Sequence, residues 1–222
     1  MRILSILSHN IEKVKRQIAE VSPEPVIIVA ATKTVNTDII GSLPGLGITI
    51  AGENRAQELI AKQAELPQID WHFIGNLQTN KVRSIIDKVS LIQSVDRLKL
   101  AEVIQREAAR INKAIDVLIE VNMGAEDSKS GIEVANAVEF ALAVSKLPNL
   151  RVKGLMTVLP IGAPEKIYAD TRELYLQLKS AFTGIKYLSM GMSGDYLTAV
   201  KYGANMIRLG SVLFGERNYE QL

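Results

Sequence analysis

A chain of 222 residues with 47% hydrophobic and 23% charged content is long enough for one large core, short for two, and near the lower end for an eight-fold α/β barrel. It contains no cysteine, which excludes disulfides, thiolate nucleophiles and thiolate metal sites, and its two histidines, His9 and His72, lie too far apart for a zinc spacing. A net charge of +2 with no block of Lys or Arg argues against nucleic acid as the main partner.

The stretch Met1 to Ser8 is only briefly apolar before His9, Asn10 and Glu12 interrupt it. That is too short for a secretory signal, and no run approaches a membrane span, so a cytoplasmic protein is expected. Ile3, Ile6, Leu7, Ile11, Val14 and Ile18 recur at helical spacing and predict a lead-in helix over 3–20, ended by Ser22-Pro23-Glu24-Pro25. Val26 to Thr32 follows as a run of β-branched and small residues without alternation. This is the signature of a strand buried on both faces, and it ends abruptly at Lys33.

Asn36 caps a short predicted helix through Leu43, and Pro44-Gly45-Leu46-Gly47 forms a turn. A second strand is expected at Ile48–Ala51, then Gly52-Glu53-Asn54 and a helix to about Leu66. Trp71–Gly75 reads as the third strand, 79–87 as its helix, and Val89–Ser94 as the fourth strand. Asp96 is expected to cap the next helix, in which Glu102 and Arg106 are spaced to pair. Ile115–Val121 is the fifth strand, and Ser130-Gly131-Ile132-Glu133 has the form of a capping box opening a helix to about Lys146. Val152–Thr157, Tyr187–Met190 and Asn205–Leu209 complete eight strands, separated by predicted helices over 164–182 and 193–202.

Eight apolar strands alternating with helices, with no linker or composition shift, predict a single (β/α)8 barrel domain over residues 1–222 with an extra N-terminal helix. A doubly wound open sheet also alternates, but the first strand lacks the glycine-rich phosphate turn of that fold. In a barrel, the carboxyl ends of the strands converge on one mouth. Here they bring Lys33, Glu53-Asn54, His72, Asn76, Asn122, Met156-Thr157, Ser193 and Arg208-Leu209-Gly210-Ser211. The converging carboxylates are too few for a glycosidase pair or a divalent cation cage.

Met190-Gly191-Met192-Ser193-Gly194-Asp195 and Arg208-Leu209-Gly210-Ser211 each place a glycine and a hydroxyl at an expected helix start. Either alone reads as an N-cap and a tight turn. Together, after strands seven and eight, they point to phosphate. A strand-end lysine alone is more readily a snorkelling residue. Beside a phosphate site it suggests a phosphorylated carbonyl compound, because a neutral lysine amine forms a Schiff base and burial or a nearby cation such as Arg208 favours the neutral form. A sugar-phosphate aldolase and a protein holding pyridoxal 5′-phosphate (PLP) both fit.

Trp71-His72-Phe73-Ile74-Gly75-Asn76-Leu77-Gln78-Thr79-Asn80-Lys81 resembles the signature of the PLP homeostasis protein family, which shares its barrel with alanine racemase. The resemblance continues through Gly52-Glu53-Asn54, Ser128-Lys129-Ser130-Gly131, Gly154-Leu155-Met156, Leu188 to Ser193 and Arg208-Leu209-Gly210, in the same order along nearly the whole chain. It implies a fold type III (β/α)8 barrel and PLP held as an aldimine on Lys33. Ser193, Gly210 and Ser211 would hold the phosphate with the backbone near Met192, and Arg208 would face the pyridine nitrogen. Asn54, His72 and Met156 would line the ring's surroundings; for His72 a plain barrel-interior histidine is the competing reading. The family often has threonine where Ser211 stands, and the hydroxyl is kept.

Racemases of this fold draw a second acid/base from an appended β domain, whereas only Phe214-Gly215-Glu216-Arg217-Asn218-Tyr219 and a short tail follow the barrel here. The expected function is intracellular PLP buffering or delivery without catalytic turnover, with PLP-dependent apo-enzymes as recipients and no nucleic acid or membrane partner. A monomer, or at most a weak dimer, is expected. A PLP-dependent amino-acid racemase of weak activity is the alternative, and an aldolase without PLP a third.

Overall fold

The computed structural model describes residues 2–125 and 130–215. Helix α1 (Arg2–Val21) leads into eight strands: β1 (Ile27–Ala31), β2 (Ile50–Glu53), β3 (Asp70–Phe73), β4 (Leu91–Val95), β5 (Ile115–Glu120), β6 (Leu150–Met156), β7 (Tyr187–Ser189) and β8 (Met206–Leu209). All pair in parallel and in sequence order, and β8 returns to β1 to close the barrel. Outside them lie α2 (Thr37–Gly41), α3 (Ala56–Glu65), α4 (Val82–Ile85), α5 (Leu98–Arg110), α6 (Ala137–Ser145), α7 (Glu165–Ala181), α8 (Tyr196–Lys201) and α9 (Ser211–Phe214). The expected (β/α)8 architecture is therefore present.

Alternation along the strands sorts side chains into two layers. Val29, Leu91, Leu118, Met156 and Met206 fill the inside, while Ala30, Ala51, Val117, Ile119, Leu155 and Ile207 join the larger core between strands and helices. On α1 the same logic selects Leu7, Ile11, Val14 and Ile18 for burial. Ile3 and Ile6, expected on that stripe, are exposed instead.

Several boundaries differ from the sequence reading for local reasons. Ile48 is buried, but its N–H closes the preceding turn on Leu43 O, so β2 starts at Ile50. Asp96 does not cap α5; its carboxylate pairs with Arg97 at 2.5 Å, and Arg106 turns to Glu107 rather than Glu102. Ser130 to Glu133 is not a capping box. Ile132 continues an extended path, bridging to Val121, and Ser130 Oγ accepts from Asn76 at 2.8 Å. Residues 79–87 hold one 3₁₀ turn and the four-residue α4. The helix expected from Ser193 begins at Tyr196. Ser128-Lys129 and Glu216 to Tyr219 lie outside the described residues. Among the described residues, no helix is long and apolar enough to cross a membrane.

Candidate functional site

Lys33 stands two residues past β1, half-buried, between anchored neighbours. Thr32 is fully buried, and its hydroxyl donates to Glu53 Oε1 at 2.7 Å. Lys62 Nζ donates to Thr32 O at 2.8 Å and to Glu53 Oε1 at 2.6 Å, and Thr34 N–H donates to Glu58 Oε2 at 3.1 Å. Thr34 is in the left-handed region at φ 64°, the tight turn that brings Lys33 back over the mouth. Glu53 is thus turned outward against α3, not toward the mouth as expected. Partial burial raises the Glu58 carboxyl, but the Thr34 N–H and Lys62 outweigh it and hold it below its ordinary value.

Lys33 lines a cavity of about 570 Å³ with Ala31, Leu159, Met192, Ser193, Asp195, Arg208, Gly210 and Ser211. The loops after β7 and β8 form its far wall. Gly191 adopts φ 101°, and a Cβ there would come within 2.6 Å of Ala199 Cβ, so this turn toward α8 requires glycine. Ser193 is not an N-cap of α8. Its Oγ crosses to the other loop, accepting the N–H of Gly210 at 3.2 Å and of Val212 at 3.3 Å. The Met192 N–H is already donated to Asp195 Oδ1 at 2.7 Å, and Asp195 Oδ2 accepts the Tyr168 hydroxyl at 2.9 Å. Those two bonds engage both carboxylate oxygens.

Arg208, on β8, is buried yet reaches the cavity wall. Nη1 donates to the carbonyl oxygen of Ser189 at 3.0 Å and to its hydroxyl at 2.8 Å, and Nη2 donates to Thr157 O at 2.8 Å. Ser189 Oγ donates to Gln93 Oε1 at 2.6 Å, and Gln93 Nε2 lies 3.0 Å from His72 Nδ1. Burial lowers Arg208 to about 10 despite Glu120 and Asp195, so it stays charged at neutral pH. Burial lowers His72 to about 4 against the pull of Asp70 and Asp116, so the imidazole is neutral.

Glu120 was missed from sequence. Two residues beyond Leu118, it shares that residue's inward face at the mouth end of β5. Burial and then the neighbouring Asp96 raise it to about 7, against Arg208 and Arg97. The available signal was an acid closing a strand that is apolar apart from Asp116. Gln93, Ser189 and Asp195 were missed as well, the first two because neutral polar residues inside a strand carry no signature of their own.

The structure therefore brings together Lys33, Met192, Ser193, Arg208, Gly210 and Ser211 around one cavity. It does not bring Asn54, His72 or Met156 to that lining. Asn54 borders a separate hollow of about 360 Å³ with Arg55, Asn76 and Lys81. Met156 is wholly buried in the inner apolar layer, and His72 sits in the barrel interior beside Gln93. No cluster of three or more metal-ligating His, Asp or Glu side chains occurs among the described residues. An amine, a guanidinium and two hydroxyls around one cavity suit a phosphorylated aldehyde.

Residues 4–218 match the family model of the alanine racemase N-terminal domain. The chain is 43% identical over 199 residues to the pyridoxal phosphate homeostasis protein of Aquifex aeolicus, covering 86% of this chain and 87% of that one. It is 34% identical over 233 residues to the protein of the same name from Escherichia coli K12, covering 97% and 98%. Among solved structures it resembles PipY of Synechococcus elongatus PCC7942 with PLP bound, at TM-score 0.83 and 30% identity, covering 94% of this chain and all of that one. An alanine racemase of Clostridium difficile shares the fold at TM-score 0.76 and 17% identity, with this chain covering 58% of it.

Proposed function

Because the chain belongs to the alanine racemase N-terminal domain family, and within it to the pyridoxal phosphate homeostasis proteins, we propose that its cavity binds PLP and that the protein buffers or delivers this cofactor without turnover. The observation that carries this reading is the convergence on one cavity of Lys33 after β1, Arg208 on β8, and the joined Ser193 and Gly210 loops. When bound, PLP supplies an aldehyde that condenses with a lysine amine and a ring that withdraws electrons.

The chain's own residues divide the work of holding it. Lys33 is the amine for the covalent link. The Ser193 and Ser211 hydroxyls are the phosphate donors; the N–H groups of Gly210 and Val212, donated to Ser193 Oγ, hold that hydroxyl in place, and the Met192 N–H, committed to Asp195, fixes the loop. Arg208 offers hydrogen-bond donors only, so a ring nitrogen held against it would be unprotonated, which would weaken electron withdrawal. That favours storage of the cofactor over chemistry on a substrate.

Turnover as a racemase requires a second acid/base. Among the described residues lining the cavity, the titratable groups other than Lys33 and Arg208 reduce to Asp195, whose oxygens are both engaged. The decisive experiment is absorption spectroscopy of the purified protein with PLP, before and after borohydride reduction, followed by peptide mapping. A yellow protein with a pyridoxyl group on Lys33 supports the reading, and a colourless protein unmodified by PLP overturns it. Rapid solvent deuterium exchange at Cα of added amino acids would move the assignment from carrier to enzyme.

A further inference from the structure

Arg208 reaches the cavity from a fixed position, and what fixes it extends well behind the cavity wall. Ser189 and Gln93 are fully buried and His72 nearly so. The Ser189 hydroxyl has one proton. With Arg208 Nη1 donating to its oxygen at 2.8 Å, that proton goes to Gln93 Oε1 at 2.6 Å. This orients the Gln93 amide, so its Nε2 faces His72 Nδ1 at 3.0 Å and Met206 Sδ at 3.3 Å. His72 Nδ1 must then accept, which leaves the ring proton on Nε2. Each donor along the chain points away from Arg208, and no single member reverses without reversing its neighbour.

We propose that Ser189, Gln93 and His72 are positioning residues that set the pose of Arg208 toward the ring nitrogen of PLP. This rests on the reading of the cavity as a PLP site. Nη1 and Nη2 are anchored inward on Ser189 and Thr157, so the guanidinium cannot swing out to follow a ligand. The chain behind it is neutral throughout. The carboxyls facing Arg208, Glu120 on β5 and Asp195 after β7, lie on other walls; those facing His72 are Asp70 on its own strand, 3.9 Å away, and Asp116 on β5. A charge at position 93 or the loss of its amide would change how Arg208 presents its charge to the ring, without touching PLP.

The test compares the wild-type protein with Gln93→Leu and Ser189→Ala, each loaded with PLP. The pH midpoint of the bound cofactor's visible absorption is expected to move by about one unit, a tenfold change in proton affinity, in both variants. Borohydride should still fix PLP to Lys33 in each. A second readout uses the protein's two histidines, whose ring nitrogens are resolvable by NMR. PLP binding should shift the His72 signals in the wild type and leave them unmoved in Gln93→Leu.

Packing alone would lower the melting temperature and leave the midpoint where it was. If Gln93→Leu does not fold, Ser189→Ala carries the comparison. An unchanged midpoint in the variants that fold, or a His72 signal indifferent to PLP in the wild type, overturns the proposal while the Lys33 adduct keeps the cofactor reading intact. A wild-type protein without that adduct overturns both.

Discussion

The hydroxyl oxygen of Ser193 accepts the N–H of Gly210 at 3.2 Å, so the loops that follow β7 and β8 are tied together at the cavity wall. The same oxygen also accepts from Val212. Ser193→Ala removes the acceptor for both groups and a donor to the phosphate. It is expected to weaken PLP and inorganic phosphate alike by roughly tenfold, as one hydrogen bond to a charged group is worth. Equilibrium titration of each ligand checks this, and the Lys33 adduct should still form.

Lys33→Ala is expected to abolish the borohydride-reducible adduct while the phosphate donors retain weaker, non-covalent PLP. Mass spectrometry of the reduced protein is the readout. Lys62 is the informative control, since it lies behind Lys33 but is committed to Glu53 and Thr32. A pyridoxyl group appearing on Lys62 or any other lysine would refute the assignment.

The brace behind Lys33 should matter to stability. Lys62→Met would leave Glu53, fully buried and with Oε2 already lacking a hydrogen-bond partner, without its counter-ion. A loss of about 3–5 kcal/mol is expected by urea unfolding, the usual cost of orphaning a buried charge. Replacing Glu53 by Gln in the same protein should recover part of it.

Two interior groups give opposite pH dependences. Glu120 binds its proton more tightly folded, about 7 against an ordinary 4.5, so its contribution favours the fold at acidic pH and fades as pH rises through that window. His72 binds its proton less tightly folded, about 4 against 6.5, so its contribution is lost as pH falls between those values. Each is worth on the order of 3 kcal/mol, and in the intact protein they largely offset. Glu120→Gln should therefore make stability fall more steeply on acidification, and His72→Gln should make it fall as pH rises from 5 to 7, relative to the intact protein. Urea midpoints across this range for the three proteins decide it; parallel profiles would refute the assignment.

The barrel was legible because each strand is a short run of β-branched and small residues bounded by turn residues, and Lys33, Ser193, Arg208, Gly210 and Ser211 were legible as polar punctuation at strand ends. Legibility failed where side-chain direction decides the outcome. Glu53 and Asn54 sit at the end of β2, yet Glu53 turns outward because Lys62 on α3 offers a counter-ion. His72 belongs to the signature-like segment, but alternation buries it beside Gln93 instead of exposing it to the cavity. Ser130-Gly131-Ile132-Glu133 matched a capping pattern, and pairing of Ile132 with Val121 overrode it.

Val29 and Arg208 are register partners on β1 and β8, so the cavity is built across the seam where the barrel closes. Lys33 follows the first strand and Arg208 lies on the last, so the two come to one cavity only after every intervening unit has been added. A nascent chain that still lacks β8 therefore has no complete cavity. A ligand held by both residues would bind the closed barrel and not its fragments, and would favour closure by mass action. Growth with or without vitamin B6 should then alter the yield of intact protein, and circular permutation that moves the seam away from the cavity should uncouple the two.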